Sequence, residues 1–169
     1  FEYILKLTPL TNVHALYGKI AHQALLKLLS VSVRNSEPLA HATIVQLFDE
    51  VARRFKYQCN ASAFEDIKNK GRDSIPSFWD YTSSKVTVKS RGELPVNALL
   101  HQEIPIKGTL DRLDQHATNA LEVVDYKSSR KTSKIKPRGK NDLGGDYWFQ
   151  VLFYHVLVDH AQLHPNATV

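Results

Sequence analysis

Lys107-Gly-Thr-Leu-Asp111-Arg-Leu-Asp114 and, after a polar break, Leu121-Glu-Val-Val-Asp125-Tyr-Lys127 decide how this chain is read. Ile104 to Leu113 and Leu121 to Ser128 both have strand character, joined by Gln115-His-Ala-Thr-Asn119. Side chains alternate faces along a strand, so Asp125 and Lys127 point one way while Val124 and Tyr126 point the other. Leu121, Val123 and Val124 suggest burial. Ionised groups at the end of a buried strand are costly unless they pair, bind a metal or do chemistry.

Working upstream, Lys85 to Ser90 alternates, and Glu93 to Leu100 reads as a strand after the Arg91-Gly92 break, with His101-Gln-Glu103 as its turn. Before this meander lies a helical block. From Thr11 the residues Val13, Leu16, Tyr17, Ile20, Ala24, Leu25 and Leu28 recur at threes and fours, with Thr11 or Asn12 as cap. Gly18 and His22 share a face of this helix, and a glycine there asks for a reason such as close approach of another backbone. His22 itself reads either as a half-buried core histidine or as a functional group. A second helix is expected from about Leu39 to Tyr57, with Ile44, Leu47, Phe48, Val51 and Phe55 inside. A third, capped by Asn60 or Ser62, is expected to break near Gly71, restart around Ser74-Ile-Pro76 and end by Ser84, burying Phe64, Ile67, Phe78, Trp79 and Tyr81.

Downstream, Arg130, Lys131, Lys134, Lys136, Arg138 and Lys140 make the densest basic segment of the chain. Composition alone favours a solvated loop, but its position directly after Lys127 favours phosphate binding. Gly144-Gly145 gives a hinge. Asp146 then caps a helix through about Ala161, with Phe149, Leu152, Phe153, Val156 and Leu157 buried and Gln150 one turn from Tyr154. Helices, then a meander, then a closing helix predict an α/β domain in an α+β arrangement: a short mixed central sheet flanked by helices, with an N-terminal helical block.

The length of 169 residues suits a single domain, 1–169. The chain starts at Phe1 and holds no methionine, which points to a domain excised from a longer protein. No apolar run is long enough to span a bilayer and no signal-peptide pattern opens the chain, so a cytoplasmic location is expected. The single cysteine, Cys59, excludes an internal disulfide framework and an all-cysteine metal cluster within this chain. A net charge of +5 and a pI near 9.3 point weakly to a polyanionic partner.

The polar residues that interrupt apolar surfaces are His22, Glu93, Asp111, Asp125, Lys127, Gln150 and Tyr154. Carboxylates are hard ligands suited to Mg²⁺ or Mn²⁺, and an imidazole shifts the preference towards Mn²⁺. Lys127 can supply the cation that a pentacovalent phosphate transition state needs. These elements fit phosphodiester hydrolysis. Asp114 and Glu122 read as surface charges and Glu103 as a turn residue.

Gly18-Lys-Ile-Ala-His22, Gly108-Thr-Leu-Asp111-Arg112, Asp125-Tyr-Lys127 and Gln150-Val-Leu-Phe-Tyr154 resemble, in order and on the right element types, the motif set of RecB-type nucleases in the PD-(D/E)XK superfamily. Each motif alone is weak, but together they cover Thr11 to Asp159. The run from Gly145 to Tyr154 is similar to the nuclease domain at the C-terminus of bacterial UvrD/Rep-like helicases. The resemblance implies a restriction-endonuclease-like core. It also implies metal ligation by His22, Asp111, Asp125 and the Tyr126 carbonyl, with Glu93 as a looser candidate, and Lys127 as the catalytic lysine. Gln150 and Tyr154 would support the site or position DNA, Arg112 would be structural or contact phosphate, and Arg130, Lys131 and Lys134 would contact DNA. It implies Mg²⁺ or Mn²⁺ and no iron–sulfur cluster. The activity expected is a deoxyribonuclease, an exonuclease acting on single- or double-stranded DNA ends in repair or recombination. A helicase motor on the same or a partner chain would be its companion, in a nucleoid-associated setting. The rival readings are a DNA-binding or scaffold module without useful cleavage, and a basic structural domain whose polar residues only satisfy the core. The presence of every acid, the lysine and the histidine favours activity.

Overall fold

The computed structural model describes residues 12–35, 38–117, 120–128, 139 and 144–163. Its elements are α1 (Val13–Ser32), α2 (His41–Arg53), α3 (Ala61–Ser83), β1 (Arg91–Leu100), β2 (Ile104–Ala117), β3 (Ala120–Val124) and α4 (Asp146–His160). They fall into two compact units, Phe1–Val88 with Tyr126–Ser129 and Lys89–Asp125 with Arg130–Val169. The result is an α+β fold, four helices with a three-stranded sheet among the described residues. None of these helices is long and apolar enough to cross a membrane.

The first unit is a helical block in which α1, α2 and α3 pack on one another. Asn12 caps α1, its side-chain oxygen accepting the His14 N–H at 2.8 Å. Leu16, Ile20, Ala24 and Leu28 form a fully buried stripe at intervals of four, as the periodicity predicts, while Val13 stays at the exposed end. The second helix is shorter than expected, His41–Arg53, and Phe55 is buried just beyond it.

The expected break in the third helix is absent: α3 runs through both Gly71 and Pro76. Phe64 and Ile67 before the interruption, and Ile75 and Trp79 after it, are all buried, so packing holds the helix where proline removes a backbone bond. Arg72 adds a fork onto Asp49 of α2, with contacts of 3.0 and 2.6 Å. Gly71 is a packing requirement, since a Cβ there would stand 1.9 Å from Phe48 Cζ. Gly71→Ala is therefore expected to destabilise the block by about 1–3 kcal/mol in urea unfolding. A loss below about 0.5 kcal/mol, the range of ordinary surface changes, would mean the Phe48 ring moves freely aside. Two further expectations fail here. Tyr81 and Phe78 are 80% and 38% exposed rather than core, and Lys85 to Ser90 forms no strand. Val88 in that segment is 82% exposed, so its alternation has no face to bury.

In the second unit β1 pairs with β2 and β2 with β3, both antiparallel. The parallel pairing that a mixed sheet requires is not among the described residues. His101 and Gln102 take positive φ in the hairpin turn, where the sequence places one. Pro95 sits in β1, at one end of the described sheet, where a missing N–H is tolerated. Val96, Leu110, Leu113 and Leu157 form the core, with Leu94, Ala98, Ile106, Leu121, Val123 and Val158 packed around it. α4 packs against β1 and β2.

The inner face expected of α4 is wrong: only Leu157 is fully buried, while Phe149, Leu152 and Phe153 are 48%, 39% and 40% exposed. The helix is apolar nearly all round, so its periodicity cannot name the stripe that meets the sheet. That stripe runs through Tyr154, Leu157, Val158 and Ala161. Gly145, not Asp146, is the N-cap residue.

Candidate active site

The ladders align the carboxylates of the sheet unit. Leu113 opposes Val123 and Arg112 opposes Val124, the last residue of β3, so Asp125 is the first residue beyond the ladder. On the other side, Gly92↔Arg112 and Leu94↔Leu110 flank position 93 opposite position 111. Glu93 therefore stands across from Asp111, and Asp125 directly follows the strand on the other side of β2. Glu93 interrupts the ladder with φ 44°, a left-handed conformation that costs a non-glycine residue about 1–3 kcal/mol and tends to cluster at functional sites.

α4 supplies the support. Gln150 and Tyr154 lie one turn apart, and both donate to the same oxygen of Asp125, Gln150 Nε2 at 3.1 Å and the Tyr154 hydroxyl at 3.0 Å. Gln150 also donates to the Tyr154 oxygen at 2.8 Å. Two donors on one oxygen fix the plane and direction of the carboxylate, as hydrogen bonds behind metal-ligating carboxylates do. Desolvation, then the charge of Asp125 and its hydrogen bond, with a smaller contribution from Asp111, push the Tyr154 pKa up to about 12. A raised folded pKa gives stability that is present below the ordinary value of about 10 and lost as pH rises through about 12. The Tyr154 phenol should therefore keep its proton throughout neutral and mildly alkaline pH. In a spectrophotometric titration, Tyr154→Phe should remove the slowest-rising phenolate. Ionisation of Tyr154 near pH 10 would overturn this geometry.

In the helical unit, His22 projects from α1 with its Nε2 2.9 Å from the Tyr126 carbonyl oxygen. A carbonyl can only accept, so Nε2 carries the proton here. The His22 ring also meets the Tyr126 ring edge-on at 5.8 Å, and Phe78 of α3 meets the same ring at 5.9 Å. A Cβ at Gly18 would lie 2.9 Å from the Ser128 hydroxyl, so the approach that the glycine permits is by a side chain rather than a backbone. Tyr126 is buried, and α1 and α3 hold the Tyr126–Ser128 segment. These contacts explain why the third strand ends at Val124 instead of reaching Ser128. Strand alternation therefore does not set the direction of Lys127 relative to Asp125. Lys127 is exposed and lines a cavity of about 180 Å³ together with His22, Tyr17, Lys70, Phe78 and Tyr126.

The structure thus gathers Asp111, Asp125, Gln150 and Tyr154 in one unit, with Glu93 across from Asp111, and His22, Tyr126 and Lys127 in the other. Arg130, Lys131 and Lys134 lie outside the described residues. Arg112 and Asp114 are both fully buried and forked together, Arg112 Nε at 2.9 and 2.8 Å and Nη2 at 2.6 Å from the carboxylate oxygens. Asp114 is thus no surface charge. Strand alternation was the signal for this pair, since residues two apart share a face. His116 and Glu122 are 2.9 Å apart beside it. Asp114, His116 and Glu122 bring ligand atoms within 4.8 Å of one another and could hold a metal ion, although Arg112 already gives Asp114 its cation.

Asp111 and Asp125, with Asp125 gripped by the Gln150/Tyr154 helix, are hard oxygen donors of the kind a divalent ion takes. The model of the PD-(D/E)XK nuclease superfamily matches residues 1–168, and the chain belongs to that superfamily. Its members use divalent metals and hydrolyse nucleic acids, and the antiparallel sheet with its helices is consistent with their restriction-endonuclease-like core. No curated protein and no solved structure matches the chain.

Proposed function

We propose that the chain hydrolyses DNA phosphodiester bonds with Mg²⁺ or Mn²⁺, as a RecB-type exonuclease working with a helicase motor, on the same or a partner chain, in repair or recombination. The observation that carries this reading is the Asp125 carboxylate, with one oxygen gripped by Gln150 and Tyr154 and with Asp111 close enough to raise the pKa of the same phenol. The RecB-type assignment and the helicase companion rest on the four ordered motifs.

Asp111, Asp125 and His22 would hold the ion together with the Tyr126 carbonyl, as the ordered motifs imply, and Glu93 would add a further carboxylate. The donor set suits a hard divalent ion. A His22 that ligated through Nε2 would carry its proton on Nδ1 instead. When bound, the ion neutralises phosphate charge and acidifies a water. The Lys127 ammonium offsets the negative charge that builds on the phosphate oxygens in the transition state. Gln150 and Tyr154 keep the Asp125 carboxylate aimed. Arg112, buried against Asp114, stiffens β2 next to Asp111. Arg130, Lys131 and Lys134 bind the DNA backbone.

Incubating the chain with linear single- and double-stranded DNA tests the proposal. Degradation is expected with Mg²⁺ or Mn²⁺ and none with EDTA. Tight DNA binding without cleavage under any divalent ion would instead identify a scaffold module.

A further inference from the structure

We propose that the face of α3 running through Lys70, Ser74, Phe78 and Tyr81 is a track for single-stranded DNA leading to Lys127, on which Phe78 and Tyr81 stack unpaired bases. The inference deepens the nuclease reading and rests on it. Residues spaced by four, four and three lie in one stripe along a helix. The buried side of α3 is already filled by Phe64, Ile67, Ile75 and Trp79, so the core accounts for neither exposed ring. Phe78 is 38% exposed and Tyr81 80% exposed. Phe78 is braced edge-on by Tyr126, which fixes its orientation.

At its other end the stripe enters the cavity of about 180 Å³ that Lys70, Ser74 and Phe78 share with Lys127 and Ser128. The Lys70 ammonium stands 3.7 Å from the Tyr17 ring centroid, which holds that cation at the cavity. Asp73 and Asp80 fall on the next face of the helix, roughly 95–115° round from the middle of the stripe at about 100° per residue. Lysines for phosphates beside aromatic faces for bases are what a single strand requires of its binding surface. A duplex has its bases stacked inside, where these rings cannot reach them. The net charge of +5 complements the same polyanion.

Affinity for a fluorescein-labelled oligothymidine and for a blunt hairpin duplex, measured by anisotropy on the Asp125→Asn chain, tests the track. Tyr81→Ala and Phe78→Ala should each weaken oligothymidine binding by about five- to a hundredfold, the range for a lost base stack, and duplex binding by less than twofold. Tyr81→Phe should bind like its parent. Tyr81 is so exposed that its variants are expected to fold, which a circular dichroism spectrum checks. Unchanged oligothymidine affinity in Tyr81→Ala, or equal losses on both ligands, would overturn the track. The nuclease reading is scored separately, by cleavage in the chain that keeps Asp125. A chain that cleaves but shows no stacking loss refutes only the track, and a chain that shows the loss but never cleaves refutes only the nuclease.

Discussion

Asp125→Asn is expected to abolish DNA cleavage while leaving the melting temperature within a degree or two of the parent. The amide keeps the shape of the carboxylate, and its oxygen can still accept the hydrogen bonds that Gln150 and Tyr154 give at 3.1 and 3.0 Å. What it loses is the charge that a divalent ion requires. The Tyr154 pKa, pushed up to about 12, should then fall towards the ordinary value, because the charge of Asp125 is one of its causes. Lys127→Ala removes a cation from the transition state at an exposed position. It should cost about 10²–10³-fold in kcat. Cleavage by either variant at the parental rate would move the chemistry elsewhere. Inactive Asp125→Asn with a collapsed melting temperature would reduce Asp125 to a structural residue.

The largest loss of stability is expected at Asp114→Ala. Both members of the Arg112–Asp114 pair are 0% exposed, and the variant strips a buried guanidinium of the carboxylate it forks onto. Removing one partner of such a pair costs about 3–5 kcal/mol, because the remaining charge stays desolvated. Replacing both by apolar residues of similar volume, as in Arg112→Met with Asp114→Leu, should recover most of that. A double variant as unstable as Asp114→Ala would show that Arg112 is needed for its other contacts rather than for this pair. Urea unfolding of the single and double variants reads the difference.

The helical block was legible because amphipathic periodicity is local: Leu16, Ile20, Ala24 and Leu28 point inwards as their spacing requires. The meander was legible from alternation and from the His101-Gln-Glu103 turn. α3 shows where local signals stop, because Gly71 and Pro76 look like breakers until Phe48 and the buried rings on both sides are known. α4 fails for the opposite reason: a helix with apolar residues on every face carries no mark of its partner. At the candidate site, Gln150 and Tyr154 were readable as a pair one turn apart, but their convergence on a single oxygen of Asp125 is a tertiary fact. The left-handed Glu93 left no trace in sequence, since nothing about a glutamate announces φ 44°. Asp114 was misread because charge was taken as exposure, when alternation already placed it on one face with Arg112.

Pro95 also bears on how this domain behaves in solution. An outermost strand normally offers a row of amide hydrogens to any other extended chain, which is how sheets recruit strangers and grow into aggregates. β1 withholds one of those hydrogens at Pro95, and two residues away its backbone swings into the left-handed region at Glu93. An incoming strand would find neither a continuous set of donors nor a straight edge to follow. Among the described residues, the opposite edge is β3, which runs only from Ala120 to Val124. Among the described residues, both flanks are thus poor templates for polymerisation.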